Sequence, residues 1–141
     1  MFITSGKDYV VAKTDEQWRA ELSPKEYKIL REAGTERPWS GKLNKEKRPG
    51  LYTCRACGAR LFRSEAKFDA GCGWPSFFTP LAEDRVELLP DDSLIGRPRV
   101  EVRCANCGSH LGHVFDDAPE TPTGDRYCMN SLALQFAPDP K

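Results

Sequence analysis

A mainly β, α+β domain is what this sequence predicts, and three observations predict it. Helix-start signatures are confined to residues 14–34, and beyond Gly50 short apolar runs alternate with polar residues at strand period. Gly and Pro punctuate those runs, so the expectation is small antiparallel sheets with helices gathered at the N-terminal end.

Thr14 with Gln17 has the spacing of a capping box and leads into a segment carrying Trp18 and Leu22 on one face. Ser23, Pro24 and Glu26 open a second helix, where Ile29, Leu30 and Ala33 form the apolar stripe and Gly34 suits the stop. From Arg37 to Gly50 the chain is polar, and its basic cluster, Lys42 to Arg48, reads as a solvated loop. Further on, Val100 and Val102 alternate with Arg99, Glu101 and Arg103. Leu132, Leu134 and Phe136 alternate with Ala133 and Gln135, and both runs have the period of half-buried strands. Ala118 to Gly124, with two prolines, is a connecting loop.

The 141 residues fit one domain, 1–141, large enough to bury a core without disulfides. Lys plus Arg equals Asp plus Glu at 21 each, so net charge points to neither nucleic acid nor an anionic membrane. The segment MFITSGKDYVVAKTDEQW lacks the apolar stretch of a signal peptide, and no run approaches the roughly 20 apolar residues of a membrane span. A soluble, cytoplasmic protein is expected. In that reducing setting, spaced cysteines more often bind metal or do redox work than form permanent staples.

Four of the six cysteines form an internal repeat: Cys54-Arg-Ala-Cys57-Gly58 followed by Leu61, and Cys104-Ala-Asn-Cys107-Gly108 followed by Leu111. Two sulfurs on one tight turn can take two vertices of a tetrahedron, and the following Gly tolerates positive φ. One such turn alone reads equally as a thioredoxin-like redox pair, but a duplicated one predicts a closed structural Zn²⁺ site, one per chain.

Cys72 and Cys128 remain. A single free cysteine is ordinarily a small buried hydrophobe, so the neighbours decide. Arg126, Cys128 and Asn130 stand at alternate positions, which on a strand share one face that continues as Leu132, Leu134 and Phe136. Arg126 would favour the nucleophilic thiolate of Cys128. Both histidines, His110 and His113, fall in HLGHVF directly after the second CxxC turn. Either could ligate metal in place of a cysteine, but four thiolates already complete the tetrahedron, which leaves both for hydrogen bonding or proton transfer. Cys72 sits between two glycines just before Trp74, a residue whose ordinary fate is the core.

At GCGWPSF, HLGHVFDD, GDRYCMNSLAL and the two CxxC turns, in consistent order over about residues 14–137, the chain resembles the type B methionine sulfoxide reductases, which act on the R epimer of methionine sulfoxide. The resemblance implies two antiparallel sheets, Cys128 as nucleophile, and His113 and Asn130 around the sulfoxide oxygen. It further implies His110 in support, Trp74 receiving the S-methyl group and Cys72 as resolving thiol. A Cys128 sulfenic acid would condense with Cys72 to a disulfide, recycled by a thioredoxin-type dithiol. The implied role is repair of oxidised proteins under oxidative stress, by a chain expected to be a monomer. Met129 stands where Ile or Val is usual, and the loop between His113 and Cys128 is slightly longer than in many members. A non-enzymatic zinc module, with inert Cys72 and Cys128, is the main rival; a general disulfide oxidoreductase leaves His110, His113 and Asn130 without a role.

Overall fold

The computed structural model describes residues 9–93, 96 and 98–140. The leaderless reading of the N-terminus therefore falls partly outside the described residues, since it includes residues 1–8. Among the described residues no helix is long and apolar enough to cross a membrane.

Both capping boxes form. Thr14 N donates to Gln17 Oε1 at 2.9 Å while Thr14 Oγ1 accepts from Gln17 N at 3.2 Å, which opens α1 (Asp15–Glu21). Ser23 and Glu26 make the same exchange at 2.9 and 3.2 Å and open α2 (Pro24–Arg31). Each cap satisfies N–H groups that the helix itself leaves orphaned, a contribution of about 1 kcal/mol. Trp18, Leu22, Ile29 and Leu30 are buried as the stripe requires. Helix α2 ends at Arg31, however, so Ala33 lies outside it. Ala33 makes the left-handed turn itself at φ 55, and Gly34 then donates to Lys28 O at 2.9 Å. Gly34 is needed for closeness, because a Cβ there would meet backbone at 2.9 Å.

Among the described residues, nine strands form two antiparallel sheets, as expected. In the smaller, β1 (Gly50–Cys54) lies between β2 (Arg60–Arg63) and β9 (Leu134–Pro138). The larger sheet uses β3 (Lys67–Phe68), β4 (Ser76–Phe77), β5 (Val86–Asp91), β6 (Arg99–Cys104), β7 (His110–Ala118) and β8 (Gly124–Met129). Their spatial order is β3-β4-β8-β7-β6-β5. An aromatic cluster joins the sheets: Phe62 stacks on Phe77 with centroids 4.4 Å apart, and Tyr52 meets Phe77 edge-on at 5.0 Å. Such pairs add to the burial of large apolar area by ring geometry as well.

Two strand readings change. The face expected to run unbroken from Arg126 to Phe136 stops at Met129; Ser131–Ala133 form a 3₁₀ turn, and β9 continues in the other sheet. Side chains stabilise this corner. Ser131 Oγ accepts from Leu43 N at 2.9 Å, Glu36 Oε1 accepts from Leu132 N at 2.9 Å, and Arg55 donates to Leu132 O and Leu134 O at 2.8 Å each. Glu101, on the polar side of the β6 alternation, is only 7% exposed, and its carboxylate meets His110 Nδ1 at 2.7 Å and Arg103 Nε at 3.0 Å.

Candidate active site and metal centre

The two CxxC turns repeat in space as in sequence. Cys54 N donates to Ala59 O at 2.8 Å and Cys104 N to Ser109 O at 2.9 Å; Gly58 N and Gly108 N return to Cys54 O and Cys104 O at 2.7 and 2.8 Å. Gly58 and Gly108 hold φ of 81° and 77°, the left-handed conformation that the turn requires. The four sulfurs lie within 4.8 Å of one another, with Cys54 Sγ 3.8 Å from Cys107 Sγ and Cys57 Sγ 3.6 Å from Cys104 Sγ. A tetrahedral metal with thiolate bonds of about 2.3 Å has S···S edges of about 3.8 Å, so the cluster fits such an ion. Asn106 Nδ2 lies 3.4 Å from Cys57 Sγ, a donor suited to a thiolate. Neither histidine is needed as a ligand.

Register builds the second site. Ser76 pairs with Cys128, Cys128 with His113, and His113 with Glu101, so one row of directly opposed residues crosses β4, β8, β7 and β6. Opposed side chains project from the same face within contact range. His110 and His113, three apart, would fall on opposite faces of a regular strand. The register passes from Val102–Gly112 to Arg103–His110, which leaves Leu111 as the extra residue of a bulge and brings both rings to one side. Their centroids are 5.4 Å apart.

Cys72 reaches this row from the loop before β4: its Sγ is 3.3 Å from Ser76 Oγ and donates toward Trp74 O at 3.6 Å. The Cys72 and Cys128 thiols are both free, with no disulfide between them, and each shifts the titration of the other. The neighbouring Cys128 draws the Cys72 thiol down to about 5, helped by Ser76 and by the positive charge of Arg126. The neighbouring Cys72, with burial, pushes the Cys128 thiol up. Arg126 acts on Cys128 in the direction expected, its positive charge favouring the thiolate against burial and the neighbouring Cys72. Arg126 itself forks onto Asp117 at 2.9 and 2.9 Å and lies 4.5 Å over the Phe115 ring.

His113 Nε2 lies 2.7 Å from Asp91 Oδ2, and His110 Nδ1 lies 2.7 Å from Glu101 Oε2. Burial holds the His113 imidazole below its ordinary value while Asp91 pulls the other way. Hydrogen bonds from Ser93 and then His113, with the charge of Arg99, hold Asp91 well below the usual carboxylate range. Asp91 is therefore ionised and accepts, so His113 Nε2 carries the proton.

Asn130 takes a different place from the row. Its amide donates to Leu111 O at 3.2 Å and Gly34 O at 3.4 Å, and its Oδ1 accepts from Glu36 N at 3.0 Å. Trp74 is half-buried, with Nε1 donating to Glu36 O at 3.0 Å. Asn130 and Trp74 thus converge on one segment, 34–36, which holds the indole beside the thiol loop. Sequence reasoning missed Asp91, Glu101, Ser76 and Glu36. A cavity of about 680 Å³ lies on the opposite face of the larger sheet, against Val100, Val114 and Tyr127, and touches neither thiol.

A paired thiol site on this two-sheet frame with a four-cysteine knot defines a family: the SelR domain profile matches residues 22–138. The chain belongs to that family, the type B methionine sulfoxide reductases. It is 61% identical over 132 residues to the peptide methionine sulfoxide reductase MsrB of Leifsonia xyli subsp. xyli, covering 94% of each chain. It is 54% identical over 135 residues to that of Bradyrhizobium diazoefficiens, covering 96% of each, and 53% identical over 126 residues to that of Methanosarcina mazei, covering 89% of each. The fold alone is shared with the Mis18 'Yippee-like' domain, at TM-score 0.50 and 18% identity over 66% of this chain and 99% of that one.

Proposed function

We propose that this protein reduces the R epimer of methionine sulfoxide, free or in oxidised proteins, to methionine. The observation that carries the reading is the pair of free thiols gathered on one row: Cys72 Sγ lies 3.3 Å from Ser76 Oγ, Ser76 pairs with Cys128, and His113 stands directly opposite Cys128. Cys128 attacks the sulfoxide sulfur after passing its proton to Cys72. A sulfoxide becomes electrophilic as its oxygen is protonated, and His113 in its imidazolium form, with Nε2–H held by Asp91, supplies that proton from Nδ1. The oxygen transfers to Cys128, methionine departs, and Cys128 is left as a sulfenic acid. The Cys72 thiol displaces the sulfenic hydroxyl as water, which forms the Cys72–Cys128 disulfide. A thioredoxin-type dithiol reduces that disulfide, taking the oxidation onto itself.

Trp74 offers an apolar face to the S-methyl group and so helps fix which epimer presents its oxygen to His113. Asn130 acts by holding segment 34–36, and through it Trp74, beside the thiols. His110, anchored on Glu101, backs the His113 ring. Arg126 supplies positive charge to both thiols. Cys54, Cys57, Cys104 and Cys107 hold a Zn²⁺ whose chemistry is a closed cross-link that stabilises the fold. Methionine oxidation in the cytoplasm is the setting this activity repairs. The test is stereochemical: thioredoxin-dependent consumption of R but not S methionine sulfoxide. Equal rates on both epimers, or none on either, would remove the assignment.

A further inference from the structure

Part of the basic cluster that reads in sequence as a solvated loop lines the same groove as Trp74. Lys45, Lys47 and Lys67 line a groove of about 640 Å³ that has Trp74 at one side and Trp39 beside it. Lys67 Nζ donates to Asn44 O at 2.8 Å and so pins the loop in place. The acidic residues of the groove are already engaged: Glu46 Oε1 pairs with Arg48 at 2.8 Å, and Asp69 Oδ1 accepts from Gly71 N at 2.9 Å. Lys45 and Lys47 are exposed, and among the described residues neither forms an ion pair.

Trp39 marks the same place independently. It is 61% exposed, and its backbone takes φ 69, an outlier for a bulky residue. Its N–H donates to Gly73 O at 2.7 Å, directly beside Cys72. A Cβ on Gly73 would meet Pro38 Cβ at 2.8 Å, so that glycine lets the two loops touch. Strain held at an exposed aromatic next to a reactive thiol is the pattern of a ligand clamp.

We propose that this groove docks acidic residues flanking the methionine sulfoxide of an oxidised protein, with Trp39 and Trp74 as the apolar platform and Lys45, Lys47 and Lys67 as the charge-reading wall. The proposal rests on the reductase reading and names its substrate class: extended, acidic peptide segments. Free methionine sulfoxide reaches the thiols but leaves the groove unused.

The test compares three peptides of equal length in which methionine-R-sulfoxide is flanked on both sides by Asp, Ala or Lys. Dithiothreitol serves as reductant, so that no protein reductant competes for the surface. The wild-type protein should show kcat/KM for the Asp peptide about tenfold above that for the Lys peptide at low ionic strength, shrinking to about twofold near 0.5 M salt. In the double variant Lys45→Glu, Lys47→Glu the order should invert, with the Ala peptide as internal measure of folded, active protein. The same Asp-to-Lys ratio in wild type and variant would overturn the groove while leaving the reductase intact. Failure to reduce any of the three, or free methionine-R-sulfoxide, would overturn both.

Discussion

Removing metal from the four-cysteine centre should unfold the protein, not merely weaken it. The S···S separations of 3.8 and 3.6 Å already suit a tetrahedral ion, so binding requires little rearrangement. A structural zinc of this kind contributes an apparent ~10–16 kcal/mol at neutral pH, whereas domains of this size are stable by only ~5–15 kcal/mol. The loosening would also spread. Arg55, in the first turn, holds Leu132 O and Leu134 O, and Arg31 of α2 reaches Cys107 O at 2.9 Å, so the segment after Cys128 and the second helix both hang on the knot. The Cys107→Ser variant, which keeps three thiolates, should lose at least ~5 kcal/mol, or roughly 20 °C in Tm. Elemental analysis, near-ultraviolet circular dichroism and thermal melts, each with and without chelator, provide the measurement. One zinc per chain with collapse of the near-ultraviolet signal on chelation is expected. A metal-free protein with an unchanged melt would refute the reasoning.

Four further variants concern the thiol face. Cys128→Ser should abolish reduction; Cys72→Ser should allow one turnover, trap a sulfenic acid detectable by a dimedone-type probe, and stop thioredoxin-driven cycling. Full cycling by that variant would free Cys72 of its role. Asp91→Asn removes the charge that favours protonated His113, so the limb of kcat/KM that falls with rising pH should move to lower pH, with kcat reduced about 10–100-fold at neutral pH. An unshifted profile would mean that His113 is not the proton source. Glu101→Gln should cost ~1–3 kcal/mol near neutrality by urea unfolding, since a buried charged partner of His110 is lost. Glu101 is held below its ordinary carboxylate range by His110 and Arg103 against the opposing effect of burial, so its stabilisation is present above the unfolded value near 4.5 and fades as pH falls through the folded one. The gap between wild type and variant should therefore close in acid, and a gap that widened there would contradict the linkage.

What was legible in the sequence is local or repeated. Thr14–Gln17 and Ser23–Glu26 announce their helices because a capping box is complete within four residues. The duplicated Cys-x-x-Cys-Gly announces the metal knot because each half carries its own turn chemistry. Cys72 and Cys128 emerge by their neighbours, and the structure does bring them together. Asp91 and Ser76 stayed hidden because only cross-strand register places them near His113 and Cys128. Glu101 shows the limit of alternation: a polar residue on the second face of a strand reads the same whether water or a buried histidine faces it. The Arg126 to Phe136 run failed for a related reason, since the corner at Asn130 is made by Glu36, Leu43 and Arg55, remote partners that no local pattern announces.

The bulge at Leu111 gives β7 two parities. Upstream, counting by twos from the metal turn sets where His110 falls; downstream, a separate count sets His113 against Cys128. Leu111 is the joint that lets the two counts disagree. Changes on its two sides are thus not equivalent: ironing out the bulge so that Leu111 paired with Arg103 would swing His110 to the far face, away from Glu101, while His113 kept its partner, whereas deleting Leu111 would merge the counts with both histidines still on one face. The strand behaves as two rulers spliced end to end, one measured from the zinc knot and one from the thiol.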